Sequence, residues 1–203
     1  MAVKKSELYS TLWKCCDELR GGMDASQYKD YVLVILFVKY ISDKSRSDDG
    51  FDIDIPQGCF FEDFVALKGK PNIGEEMNKK MAALAEANQL DGVFVADFED
   101  DAKLGKGKDK IDTLSNLIAI FQNDNLDFSK NRAADDDLIG DAYEYLMKNF
   151  ATESGKSKGQ FYTPAEVSRI LAKIIGILIK KEKSTPVFPR LLGLWRRTCV
   201  AGP

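Results

Sequence analysis

A chain of 203 residues with 44% hydrophobic residues suits one domain, or one and part of a second, with an ordinary globular core. It contains no histidine, which excludes Ser-His-Asp and Cys-His catalysis, histidine-ligated metals and a histidine general base. Charge is uneven: residues 1–154 hold 19 Lys/Arg against 30 Asp/Glu, a net of −11, while residues 155–203 hold 10 against 2, a net of +8. The C-terminal part is therefore the side that suits an anionic partner.

In chain order, "SELYSTLWKCCDELRGG" predicts a helix. Leu8, Leu12, Cys15, Cys16 and Leu19 recur at three- and four-residue spacing, Ser6 reads as its N-cap, and Gly21-Gly22 as its stop. Asp24 followed by Gln27 has the form of a capping box. The run Val32–Val38 is apolar on every side. Its pattern continues through Tyr40 and Ile41, too long for a typical strand, so it predicts a buried central helix. Residues 47–58 read as a polar connection, and "CFFEDFVALKG" as a short aromatic segment. "IGEEMNKKMAALAEANQ" predicts a helix with Ile73, Met77, Met81, Leu84 and Ala85 on one face. "GVFVADF" reads as a short extended piece, and "DDAKLGKGKDK" as a solvated loop without the spacing of a phosphate-binding loop. "IDTLSNLIAIFQ" predicts another helix. After an acidic connection over 131–137 comes "DLIGDAYEYLMKNFATESG", a helix that buries Leu138, Ile139, Ala142, Tyr145, Leu146 and Phe150.

Two clusters tempt a metal reading and fail it. Asp135-Asp136-Asp137 do not share a helical face and suit a helix N-terminus instead. Cys15, Cys16, Cys59 and Cys199 show no ligand spacing and read as reduced, buried thiols. No metal site is expected. The opening "MAVKKSELYS" lacks the pattern of a signal peptide, and the longest apolar run, residues 31–38, is far too short to span a membrane. The expectation is a cytoplasmic protein with no membrane partner.

Further on, "SGKSKGQFYTPAEVSRIL" runs from a polar loop into Thr163-Pro164-Ala165-Glu166. Threonine suits an N-cap, proline suits the first helical position, and glutamate two residues after the proline completes a capping box. Val167, Ile170, Leu171, Ile174 and Ile175 then share one face. On the residues alone, a plain helix start is the simpler account. A helix N-terminus beside a hydroxyl also suits a carboxylate or phosphate, with Phe161 and Tyr162 placed to line a pocket for a flat group.

Three stretches together carry a family resemblance: residues 12–43 ("LWKCCDELRGGMDASQYKDYVLVILFVKYISD"), residues 137–151 ("DLIGDAYEYLMKNFA") and residues 155–171 ("GKSKGQFYTPAEVSRIL"). In order and spacing, the chain over roughly residues 5–178 resembles the N-terminal region of the modification subunit of type I restriction-modification systems. The resemblance implies an adenine-N6 DNA methyltransferase that uses S-adenosylmethionine. It implies assembly with DNA, a specificity subunit, a second modification subunit and, in the full complex, a restriction subunit. It places Phe161, Tyr162, Thr163 and Pro164 at the edge of the cofactor pocket, with the Thr163 hydroxyl or amide donating to the methionine carboxylate. Lys156, Lys158, Arg169 and Lys173 are the expected DNA contacts, because residues 1–154 are acidic. The fold expected is mainly α: a helical bundle over 1–134, then over 135–180 the first helices of a truncated α/β, Rossmann-like methyltransferase domain.

The family's glycine-rich cofactor loop and its Asn-Pro-Pro-Tyr or -Phe segment, which grips the flipped adenine, do not occur in these 203 residues. No catalytic residue is therefore assigned, and the chain alone is expected to be inactive, with weak or no cofactor binding. A non-enzymatic helical adaptor for DNA or a partner subunit is the alternative. Residues 181–203 read as an atypical tail. If Pro189–Arg197 is encoded CCN CGN CTN CTN GGN CTN TGG AGR AGR, reading one base later permits Pro-Ala-Cys-X-Gly-Ser-Gly-Gly, which resembles the missing loop. A frameshift is the expectation there, with a divergent tail as the alternative.

Overall fold

The computed structural model describes residues 3–47, 51–90, 92–123, 125–130 and 138–153, together with Val167 and Ile170. Among these, every regular element is helical. The first helix, α1 (Lys5–Leu19), forms where the sequence places it, and Leu8, Leu12, Cys15, Cys16 and Leu19 are its buried stripe. Its start differs from expectation. Lys4, not Ser6, is the N-cap, with extended backbone and no side-chain cap bond. The Lys4 carbonyl already accepts from the Glu7 and Leu8 amides at 3.0 and 3.1 Å, which draws Ser6 into the first turn. Gly21, at φ 95°, takes the left-handed conformation that ends a helix cheaply only at glycine.

The second helix, α2 (Ala25–Ser45), is the axis of the fold. Every residue from Tyr31 to Val38 is buried, so the helix is covered on all sides, as its unbroken apolar run predicts. Asp24 holds the N-cap position, but its side chain makes no cap bond. The Gln27 amide donates instead to the Asp24 carbonyl at 2.8 Å, so the expected capping box is not formed.

The aromatic segment becomes α3 (Phe61–Val65). Two side chains hold its start: the Phe61 amide donates to Ser42 Oγ at 2.8 Å, and the Phe60 amide to Asp63 Oδ2 at 3.0 Å. The fourth helix, α4 (Ile73–Ala87), buries Ile73, Met77, Met81 and Leu84, while Ala85 is partly buried against the core. The extended piece over 93–96 pairs with no strand among the described residues.

The stretch read as a solvated loop folds further than expected. It contains α5 (Asp101–Leu104) and the first turn of α6 (Lys108–Phe121). Asp100 caps α5 by accepting from the Ala102 amide at 3.0 Å. Gly105 and Gly107, at φ 83° and 57°, make the reversal into α6. Lys110 locks it by bonding Glu99 at 2.7 Å and Asp101 at 3.1 Å. A 3-10 turn (Phe128–Lys130) follows, its Phe128 amide donating to the buried Asp43 carboxylate at 3.1 Å.

The last described helix, α7 (Leu138–Glu153), packs along α2 more extensively than any other pair of helices and also touches α1. Leu138, Ala142, Leu146 and Met147 are its buried residues, with Ile139 and Tyr145 half-buried against the core. On one flank Tyr145 stacks on Tyr9, ring centroids 4.3 Å apart and nearly parallel. On the same flank Lys5 pairs with Asp141 at 2.6 Å. Among the described residues, no helix is long and apolar enough to cross a membrane.

Candidate functional site

The helix α7 delivers the chain to the loop that the sequence singles out. It ends at Glu153, two residues before Gly155. Its apolar stripe docks it on α1 and α2. The expected cofactor-edge residues Phe161, Tyr162, Thr163 and Pro164, and the expected DNA contacts Lys156, Lys158, Arg169 and Lys173, lie outside the described residues. So do Asp135–Asp137, Phe150's side chain, Cys199 and the tail. Within the candidate segment, Val167 and Ile170 are helical, in agreement with a helix opened by Thr163-Pro164. Both are exposed, at 43% and 56%, so this side of the helix is not covered by the bundle.

The described residues contain a concave region. An open cavity of about 420 Å³ lies between α4 and the extended segment, lined by Asn78, Met81, Ala85, Phe94, Val95 and Asp97 among others. Its polar groups are already committed. Asn78 Nδ2 donates to Asp97 Oδ1 at 2.7 Å, and Asn78 Oδ1 accepts from the Phe98 amide at 3.0 Å. Asp97 Oδ1 also accepts from the Glu99 amide at 2.9 Å, and the Tyr31 hydroxyl donates to the Asp97 carbonyl at 3.0 Å. These bonds pin the extended segment to α4 and α2. They leave no convergent polar group for a nucleoside or an amino-acid carboxylate, so the cavity does not fit S-adenosylmethionine.

Nor do the described side chains offer an activated nucleophile or base. Burial pushes the Cys15 thiol well above its ordinary range, with the neighbouring Cys16 and Glu18 adding to it. Burial also raises Cys59, against the opposing pull of Lys80. The Tyr31 hydroxyl is raised first by burial and then by Asp100 and Asp97. Each of these groups stays protonated at neutral pH, which is the state of an inert core thiol or a structural hydroxyl. Lys110 is held charged by its hydrogen bond to Glu99, and it serves to close the α5–α6 reversal. Among the described residues, no group of three or more Cys, Asp or Glu is placed to hold a metal.

The hydrogen-bonded hub of Tyr31, Asn78 and Asp97, and the Lys110 lock, were not visible in the sequence. Their partners lie 66, 19 and 11 residues apart in the chain, and no local pattern announces such pairs.

A helical bundle closed by α7 fits the N-terminal region of a modification subunit, and comparison with known families places the chain there. The HsdM N-terminal domain model matches residues 8–121, and the N-6 DNA Methylase model matches residues 134–188. The chain therefore belongs to the HsdM N-terminal domain family of type I restriction-modification methylase subunits. It is 28% identical to the type I restriction enzyme MpnII methylase subunit of Mycoplasma pneumoniae, over 90% of this chain and 41% of that protein. It is 29% identical to the MjaVII methylase subunit of Methanocaldococcus jannaschii, over 90% of this chain and 33% of that protein. The chain thus spans well under half the length of these curated relatives. A solved type I restriction-modification methyltransferase subunit from Streptococcus thermophilus superposes with a TM-score of 0.66 at 23% identity, covering 96% of this chain and 50% of that one. That likeness establishes the mainly helical fold.

Proposed function

We propose that this chain is the N-terminal part of a type I DNA methyltransferase subunit. In complex with a specificity subunit, such a subunit transfers the methyl group of S-adenosylmethionine to the N6 of adenine in DNA. The observation that carries this reading is the order of the two family matches, residues 8–121 and then 134–188, on a bundle whose last helix belongs to the second match and packs on the first. The helical domain over 1–134 holds the assembly, and the methyltransferase part begins at 135 with α7. Phe161, Tyr162, Thr163 and Pro164 form one edge of the cofactor pocket, where the Thr163 hydroxyl or amide meets the methionine carboxylate at a helix N-terminus. DNA, the specificity subunit, a second modification subunit and a restriction subunit are the partners, in the cytoplasm.

When bound, the cofactor supplies the electrophilic methyl group. The residues of this chain bind and orient it, and transfer needs the glycine-rich loop and the adenine-gripping segment that these 203 residues do not contain. The second reading, a non-enzymatic adaptor, is favoured by that same lack. Tritiated cofactor separates them. The chain mixed with duplex DNA and the matching specificity subunit is expected to co-elute with that subunit and incorporate no label. A chimera continuing into the corresponding residues of the Mycoplasma relative is expected to methylate adenine. Label incorporated by the 203 residues alone would refute their inactivity, and a silent chimera would leave the adaptor reading in its place.

A further inference from the structure

The segment after α4 has the features of a strand with no partner strand among the described residues. Residues 94–97 form neither helix, turn nor bend. Their burial alternates: Phe94 and Ala96 are half-buried, while Val95 and Asp97 are exposed, which is the two-residue period of extended backbone. Phe94 packs on Phe37, ring centroids 5.5 Å apart. Val95 is 61% exposed, more than any other large hydrophobic residue described, and its β-branched side chain suits a strand. The backbone groups of Val95 and Ala96 have no hydrogen-bond partner among the described residues.

The segment is fixed at both ends. At its start the Val93 amide donates to the Leu90 carbonyl at 3.1 Å. At its end Asn78 bonds the Phe98 amide and the Asp97 carboxylate, and the Tyr31 hydroxyl bonds the Asp97 carbonyl. It is held in place before any partner arrives, which lowers the entropy cost of pairing. Beside it lies the open cavity of about 420 Å³, whose other wall is Met81, Ala82 and Ala85 of α4. The surroundings are acidic: residues 71–101 hold 2 Lys/Arg against 8 Asp/Glu, a net of −6. Both lysines are engaged, Lys79 with Glu75 and Glu76 at 2.9 and 3.0 Å and Lys80 with the Gly58 carbonyl. Asp97 lines the groove, and exposed Glu86 stands one turn beyond Ala82.

We propose that residues 94–97 and the α4 groove form a strand-addition site for an extended peptide of another protein, one in which β-branched residues alternate with lysine or arginine. Main-chain bonds to Val95 and Ala96 supply affinity, and the groove takes every second side chain of the added strand. Charge selects the occupant. A nucleic acid would meet a surface of its own sign, and a second copy of this segment would bring Asp97 and Glu99 against like charges. The site needs only the folded helical domain, so it stands apart from the proposed methyl transfer.

The 203-residue chain is titrated onto fluorescein-labelled Lys-Val-Lys-Val-Lys-Val-Lys and followed by anisotropy. Saturable binding is expected, with amide exchange at Val95 or Ala96 slowed at least about tenfold in the complex. Alternate residues of a strand turn their amides to one edge. Of two further peptides, N-methylated at the valines or at the lysines, one should therefore bind at least about tenfold more weakly and the other nearly as well as the parent. Val95→Lys puts a cation on the edge without touching the core and should weaken binding about tenfold, and Glu86→Lys should weaken it less. Equal affinities of the two methylated peptides overturn strand addition and leave charge attraction alone. Absence of binding up to about 1 mM peptide overturns the site itself, as does wild-type affinity in Val95→Lys. A chain that sediments as a dimer, split by Val95→Lys, would make a second copy the occupant and overturn the assignment to a basic peptide. Failure of the functional reading shows elsewhere, as a chimera that transfers no methyl group whether or not the peptide binds.

Discussion

The α1–α2–α7 packing and the stretch from residue 51 to residue 110 are held by different forces. Around α2, side chains from Tyr31 to Val38 are enclosed by apolar neighbours, and burial of hydrocarbon does nearly all the work. In the irregular stretch, the backbone is fixed by single polar side chains. Asn88 bonds the Asp54 amide and carbonyl, Lys80 bonds the Gly58 carbonyl, and Asn78 holds Phe98 and Asp97. Glycine matters there for closeness: a Cβ on Gly74 would lie 2.2 Å from the Phe98 carbonyl oxygen. An apolar core tolerates many arrangements of similar volume. A loop tied by one amide has one arrangement, because a hydrogen bond is directional and its loss leaves the backbone group without its partner.

Three substitutions or conditions sharpen that contrast, from the largest effect down. Leu36→Ala, at a fully buried α2 position, is expected to cost about 2–5 kcal/mol in urea unfolding, from lost transfer energy and the cavity left behind. A cost under about 1 kcal/mol would show that α2 is not the axis of the core. Asn78→Ala is expected to cost about 1–3 kcal/mol, since it orphans the partly buried Phe98 amide. Hydrogen exchange should quicken at residues 93–98 and not along α2. Uniform quickening would mean that the two regions unfold as one unit.

The third is alkaline pH. Cys15 and Tyr31 are both raised above their usual 9.0 and 10.0. Above those values the unfolded chain has lost protons that the folded chain keeps, so the unfolded state binds fewer protons and stability falls as pH rises. The loss begins near pH 9 and steepens above pH 10, by up to about 1.4 kcal/mol per pH unit for each proton. Melting followed from pH 7 to 11 checks it, and Cys15→Ala should flatten the first part of the decline. A flat profile would mean that neither group is shielded from water.

Much of this was readable from the chain itself. The stripes of α1, α4 and α7 follow from three- and four-residue spacing, because a helix face repeats at that interval. The length of the Val32–Val38 pattern told a buried helix from a strand, because enclosed helices lose their polar face altogether. The start expected at Thr163-Pro164 lies outside the described residues, where only Val167 and Ile170 are seen to be helical. Helix starts were less legible. Ser6 and the Asp24–Gln27 pair have the right chemistry for caps, yet the backbone carbonyls of Lys4 and Asp24 take the amides first.

What the sequence determined by itself is thus the longer helices α1, α2, α4, α6 and α7, and the family to which the chain belongs, since both rest on residues close together in the chain. Only the tertiary structure decided that α7 closes the bundle by stacking Tyr145 on Tyr9, and that "DDAKLGKGKDK" folds around Lys110. The physical reason is range: a helical period is a property of four neighbouring residues, whereas an ion pair or a charged edge depends on where distant segments come to rest.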